Sequence, residues 1–224
     1  MEIGHALLGV LLPERCVACG APDELLCAGC RGRLIVLRGA LCARCGGPTA
    51  WPVERCAECA GRRVSFATAR AAVAYDGPGR ALVVAWKERG LRRAGGLAAD
   101  LVAETVRRPA VEALSFVPGD GDRVGWRGLN TAEELARALG THWELPVRRL
   151  LGRARRARPQ RGLSQAERRA NIRAAFRAAG VSPPAVGLVD DVYTTGSTVS
   201  AAARALKTAG ARRVHVVTFA RSVL

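Results

Sequence analysis

The chain has 224 residues, 49% of them hydrophobic, enough for one good core or a core with a small satellite domain, and too many for a disordered chain. Lys and Arg total 35 against 19 acids, a formal charge of +16 that attracts polyphosphates, nucleic acid and anionic surfaces. No run approaches the ~18 apolar residues of a membrane span, and Glu2 stands where a signal peptide is basic, so a cytoplasmic chain opening on a short amphipathic helix is expected.

Eight cysteines follow that opening, all before Ala60, as Cys16/Cys19, Cys27/Cys30, Cys42/Cys45 and Cys56/Cys59. Two residues between paired cysteines let both sulfurs face one tetrahedral metal. Glycine follows two of the pairs, in "CVACG" and "CARCGG", where backbone amides approach sulfur. The pattern predicts one or two structural Zn2+ sites that supply folding energy to a segment too small for its own core. Sequential grouping gives the first metal Cys16, Cys19, Cys27 and Cys30. Interleaved grouping exchanges the middle pairs, and the spacing does not choose between them. Disulfides would need an export signal, iron–sulfur ligation is a further candidate, and a redox pair would need a βαβ context.

Beyond the cysteines, strands and helices alternate. "ARAAVAYDG" (69–77) reads as a strand closing in a turn, and "PGRALVVAWKERG" (78–90) as a helix with Pro78 at its start. A helix is expected over 94–108, a strand over 111–118 and a glycine-rich loop over 119–128. A further helix over 129–140 ends at Gly140, and a strand lies within 144–152. The stretch 153–176 is rich in arginine and interrupted by Pro159 and Gly162. A buried strand (185–190), a helix (198–210) and a last strand (211–220) complete a mostly parallel sheet covered on both faces.

The string "GLVDDVYTTGSTVS" (187–200) carries the chemistry. Asp190 and Asp191 stand at the carboxyl edge of a strand, where open α/β sheets bind ligands. Thr194, Thr195, Gly196, Ser197 and Thr198 form the turn before a helix. Free helix amides, hydroxyls and the helix dipole make a phosphate cradle there, and Gly196 keeps it clear of a Cβ. Acids beside a phosphate make sense if they accept sugar hydroxyls or join a Mg2+ network. A sugar 5′-phosphate satisfies both halves. No GxxxxGK[ST] or GxGxxG loop occurs, and His5, His142 and His215 are scattered.

The string resembles the ribose-phosphate signature of type I phosphoribosyltransferases, and the whole chain is similar to the ComF/ComFC competence-associated family. That likeness includes the cysteine-rich front, "AYDGPGRALVVAWKERG", "RGLNTAEELARALG" and the arginine-rich stretch. The resemblance implies an α/β fold, an open, mostly parallel type I phosphoribosyltransferase-like sheet (65–224) behind a cysteine-rich zinc module (1–64). It implies that Asp190 and Asp191 bind the ribose of phosphoribosyl pyrophosphate (PRPP) with Mg2+, and that residues 194–198 hold its 5′-phosphate. Lys87 matches a lysine in a recurring "K-x-R-G" string, and Arg153–Arg169 is the expected mobile lid. One departure stands out. "GDGDRVGWRG" carries Asp120 and Asp122 where relatives are basic, leaving Arg123 and Arg127, so direct pyrophosphate contact is less favourable there. Two functions stay open: a Mg2+-dependent phosphoribosyltransferase of unspecified acceptor, and a non-catalytic DNA-uptake factor contacting single-stranded DNA or a competence helicase.

Overall fold

The computed structural model describes residues 14–119, 130–154 and 175–223. The expected opening helix, most of the loop bearing Asp120 and Asp122, and the arginine stretch from 155 to 174 lie outside the described residues.

Within the cysteine segment, α1 (Ala28–Gly32) and a 3-10 turn (Ala57–Cys59) are short. The chain passes the fully buried Phe66 and enters β1 (Thr68–Ala74). Next come α2 (Gly77–Lys87) and α3 (Arg92–Thr105). Pro78 sits in the first turn of α2, where a missing amide leaves no hydrogen bond unmade. β2 (Ala113–Phe116), α4 (Thr131–Trp143), β3 (Leu151–Arg153) and β4 (Phe176–Ala178) follow. The last unit is β5 (Ala185–Tyr193), α5 (Ser197–Thr208) and β6 (Arg213–Arg221).

Four strands form a wholly parallel sheet in the order β1-β6-β5-β2. Val186, Gly187, Leu188 and Val189 of β5 are all buried, and successive strand residues face opposite sides, so both faces are covered. One continuous cluster of buried residues runs from Cys16 and Cys42 through Trp86 and Leu135 to Val217. The expected mostly parallel α/β fold is therefore present, with the cysteine segment packed on the same apolar core. β3 and β4 pair antiparallel, and the Ala154 amide donates to the Ala175 carbonyl at 3.0 Å. The two ends of the arginine stretch thus meet at one point. No described helix is long and apolar enough to cross a membrane.

Two expectations shift. The helix expected to end at Gly140 continues to Trp143 and stops at Glu144, which is left-handed at φ 53°. Gly140 is a packing residue. A Cβ there would meet Val147 Cγ2 at 2.5 Å and the Leu145 carbonyl oxygen at 3.0 Å. The strand expected within 144–152 is reduced to Leu151–Arg153 and an isolated bridge between Val147 and Leu114. Pro146 has no amide to give, so it only accepts, from the Leu114 amide at 2.9 Å.

Overpacking a full core site costs about 1–3 kcal/mol. Gly140→Leu should therefore lower the melting temperature by several degrees, at roughly 2–4 °C per kcal/mol for a chain of this size. Thermal unfolding followed by circular dichroism measures it. An unchanged melting temperature would show that α4 does not pack against Val147 in this way.

Candidate functional site

The eight cysteines are free thiols in two groups, Cys16/Cys19/Cys27/Cys30 and Cys42/Cys45/Cys56/Cys59, each with its ligand atoms within 4.8 Å of one another. The grouping is sequential. A tetrahedron with Zn–S bonds near 2.3 Å has sulfurs about 3.8 Å apart. Cys19 and Cys27 are 3.6 Å apart, Cys45 and Cys56 3.5 Å, and Cys42 and Cys59 3.9 Å. Amides support the sulfurs, from Cys27 to Cys16 at 3.5 Å and from Cys56 to Cys42 at 3.3 Å. The electrostatics ask for a cation. Burial pushes the Cys16 thiol up, but the amides of Cys27, Ala18 and Cys19 together draw it down to about 6. The Ala21 amide lowers Cys19, yet its three cysteine neighbours push it up to about 12. In the second group Cys42 is likewise drawn to about 6 by amides against its burial, while burial and then Cys45 raise Cys59. Four thiolates this close repel one another, and a divalent ion removes the repulsion. Both groups fit Zn2+.

At the other end of the sheet, β5 extends further than expected. It runs to Tyr193, because β6 keeps pairing up to Arg221. Asp190 and Asp191 therefore lie inside the strand and turn to opposite faces. The Asp191 carboxylate is buried and fully engaged. Its Oδ2 accepts from Lys87 Nζ at 2.6 Å and from Thr131 Oγ1 at 2.6 Å, and its Oδ1 accepts from the Val192 amide at 2.7 Å. Lys87 ends α2 and Thr131 begins α4, so three elements meet at one carboxylate. Burial works against the Lys87 ammonium, but Asp191, then Asp190 and Tyr75, hold its pKa above the ordinary value. Asp190 is half-buried, and its Oδ1 accepts only from the Asp191 amide at 3.0 Å among the described residues. Desolvation first, and the charge of Asp191 second, push its carboxyl up to about 8.

The helix after the turn starts at Ser197, one residue earlier than expected, so Ser197 and Thr198 belong to its first turn. Gly196 is the N-cap at φ 72° and carries no capping side chain. Its lack of a Cβ is required twice, by the left-handed backbone and by the Tyr193 hydroxyl, which a Cβ would strike. The amides that open α5 have no intrahelical partner. Thr194, Thr195 and Thr198 are exposed around them. Thr195 Oγ1 donates to Ser197 Oγ at 3.0 Å.

Several site residues carried no signal of their own in the sequence. Arg62 donates to the Thr195 carbonyl at 2.7 Å, and the Ser65 amide to Ser200 Oγ at 3.0 Å. Arg221 is 1% exposed. It donates to the Cys45 carbonyl at 2.6 Å and to Glu58 at 2.8 Å, and its guanidinium lies 4.8 Å from the Tyr193 ring centroid. The second cysteine group and the turn are thus linked through a single buried cation. Thr131 follows the quoted "RGLN" string, which was the only hint of it.

Residues 7–60 match the Double zinc ribbon domain. Competence protein F of Haemophilus influenzae is 29% identical over 225 residues, 93% of this chain and 97% of that protein. DNA utilization protein YhgH of Salmonella typhi is 31% identical over 231 residues, 95% of this chain and 99% of that protein. The chain belongs to the ComF family. A solved structure similar to this ComF-family chain is the glutamine phosphoribosylpyrophosphate (PRPP) amidotransferase from B. subtilis complexed with ADP and GMP. The match has a TM-score of 0.40 and 21% identity, and covers 55% of this chain and 25% of that one.

Elemental analysis of the purified ComF-family chain should find about two zinc ions per chain, from two four-cysteine sites. Cys16→Ser and Cys30→Ser should each cost the same ion, and Cys42→Ser the other. If Cys30→Ser spared the ion lost in Cys16→Ser, the sequential grouping would be wrong.

Proposed function

We propose that this ComF-family chain binds PRPP or a closely related ribose 5-phosphate, and transfers its phosphoribosyl group to an acceptor nucleophile in the service of DNA uptake. The observation that carries the reading is one strand–turn–helix unit. It joins Asp190 and Asp191, with Lys87 bonded to Asp191, to an uncapped helix start rimmed by hydroxyls.

Each part has a task in that chemistry. The 5′-phosphate fits the turn, where the first α5 amides and the hydroxyls of Thr194, Thr195, Ser197 and Thr198 donate to it. Asp190, whose carboxylate is the less engaged, accepts ribose hydroxyls. Asp191 holds Lys87 and Thr131 in place, and Lys87 offers its ammonium to the pyrophosphate side. Mg2+ held beside Asp190 would neutralise charge on the leaving pyrophosphate. In the transfer, the bond between the anomeric carbon and the pyrophosphate oxygen breaks and pyrophosphate leaves with the electron pair. The acceptor's lone pair forms the new bond, and the acceptor's proton passes to solvent. The chain itself supplies orientation and electrostatics, not a covalent intermediate.

The formal charge of +16 favours a second reading, a non-catalytic DNA-uptake factor that holds single-stranded DNA or a competence helicase. The names of the curated relatives agree with either reading. Calorimetry with PRPP and Mg2+, against single-stranded DNA, separates them. Binding of PRPP without DNA supports the transferase, and the reverse supports the DNA factor.

Replacing both Asp190 and Asp191 by Ala should weaken PRPP at least about tenfold, as expected when a charged hydrogen-bond partner worth roughly 1.5–3 kcal/mol is lost. Inorganic phosphate should bind the same variant as well as it binds the parent, or better. Gly196→Val should damage both ligands, because the branched side chain enters the space of the Tyr193 hydroxyl. Parent-like PRPP affinity in the folded double variant would remove the ribose role from these acids.

The raised pKa of Asp190 gives a pH dependence. The empty site keeps this carboxyl protonated at pH 7, and ionisation is completed only above about 8. A ligand that needs the carboxylate must expel the proton. Calorimetry in buffers of different ionisation enthalpy should therefore find about one proton released per PRPP bound at pH 7, falling toward zero by about pH 9. Equal release at both pH values would mean that Asp190 does not face the ligand.

A further inference from the structure

A cavity of about 570 Å³ opens far from Asp190. It lies over the amino-terminal halves of β1 and β6, walled by the linker between the two cysteine groups (37–41) and by the loop that follows α3 (105–110). Along β6, Asp190 is level with Thr218 and Tyr193 with Arg221, whereas the cavity reaches back to His215. At about 3.3 Å per residue, His215 stands roughly 20 Å from the Arg221 end of the strand.

Its lining is unusual in charge. Arg38, Arg70, Arg107, Arg108 and His215 all contribute, and no acid does. Arg107 and Arg108 are exposed and have no ion-pair partner among the described residues. Arg70 is half-buried and donates to the backbone carbonyls of Ala69 and Ala43 at 2.7 and 3.1 Å, so its positive charge meets no carboxylate there. The carbonyls at the carboxyl end of α3 offer some negative potential, and Arg38 already donates to one of them, Glu104, at 3.4 Å. His215 registers the net field. Burial, then Arg213 and Arg70, lower its pKa. Its Nδ1 lies 2.9 Å from Thr68 Oγ1, which fixes the ring at the cavity wall.

The floor is different in kind. Leu37, Val106 and Val217 are buried and apolar. The volume falls within the roughly 300–1,000 Å³ typical of small-molecule sites. A bare anion would use the arginines and waste the floor, and an apolar ligand would leave the cations uncompensated.

We propose that this cavity is a second ligand site that binds a nucleotide, its phosphate against the arginines and its base over the apolar floor. This inference does not rest on the PRPP reading, because none of the residues in the cavity belongs to the strand–turn–helix site. The nucleotide arrives either free or as one unit of a single strand, and both share the recognised chemistry.

The test uses the full-length zinc-loaded chain and the ring resonance of His215, assigned with His215→Gln. Deoxyadenosine monophosphate, inorganic phosphate, deoxyadenosine and a short single-stranded oligodeoxyadenylate are titrated separately at matched ionic strength. The mononucleotide should shift the His215 resonance and raise its pKa, and should bind at least about tenfold more tightly than phosphate or nucleoside alone, since each of those makes only half of the contacts. A double Arg107→Ala and Arg108→Ala variant with the parent's melting temperature should lose about tenfold or more of that affinity. Tighter binding by the oligonucleotide, with the same dependence on these arginines, identifies the strand as the source. Mononucleotide binding that the oligonucleotide does not match identifies the free nucleotide. The proposal fails if the mononucleotide leaves His215 unmoved, if phosphate alone binds as tightly, or if the double variant binds like the parent.

Discussion

The guanidinium of Arg221 is the contact on which the arrangement of this molecule turns. A charge removed from water this completely must be paired, and leaving one partner unmatched is costly. Burial works against the cation, but Cys45, Glu58 and Tyr193 hold its pKa above the ordinary value. These groups come from separate parts of the chain. Cys45 and Glu58 belong to the second cysteine group and its 3-10 turn, Tyr193 ends β5, and Arg221 itself ends β6. The ribbon cannot slide over the sheet without exposing or unpairing this group. The turn at Gly196 inherits its shape from the same contact, since the Tyr193 ring lies between the turn and the guanidinium.

A second carboxylate plays the matching part on the other face of β5. Asp191 gathers the end of α2 and the start of α4, and those helices come from chain regions 104 and 60 residues away. Its three hydrogen bonds leave it little freedom to reorganise. Asp190, next in sequence, shares none of these partners. Adjacent identical residues thus acquire unlike environments simply because a strand alternates its faces, much as paired carboxylates elsewhere divide acid and base roles.

What could be read from the sequence was local. The spacing within each CxxC pair, the apolar run before Asp190 and the Thr-Thr-Gly turn all act within a few residues, and the structure has the elements they predict. The grouping of cysteines was not local, because both arrangements satisfy the spacing, and only the folded path brings Cys27 beside Cys19. Gly140 read as a helix stop, since glycine usually is one, and its packing against Val147 overrode that signal. Thr131, Arg62 and Arg221 join the site from afar, and no pattern around a lone Thr or Arg announces such a partner. Lys87 was visible as part of a string, but its role became definable only when Asp191 was found 2.6 Å away.

The strand order has a temporal consequence. β1 lies at the sheet edge and its one laddered neighbour is β6, with Thr68 opposite His215, 147 residues later. A ribosome making this chain therefore releases the cysteine segment and β1 long before the strand that receives them exists. Such long-range pairing is slow, and an unmatched edge waiting in solution invites wrong partners. Metal capture by the cysteine groups needs only local residues, so it can hold the nascent front in a defined shape while the rest of the sheet is translated. On that view the ribbons serve the newborn chain as well as the finished one, as a placeholder fold that keeps β1's neighbourhood ordered until β6 emerges to close the sheet.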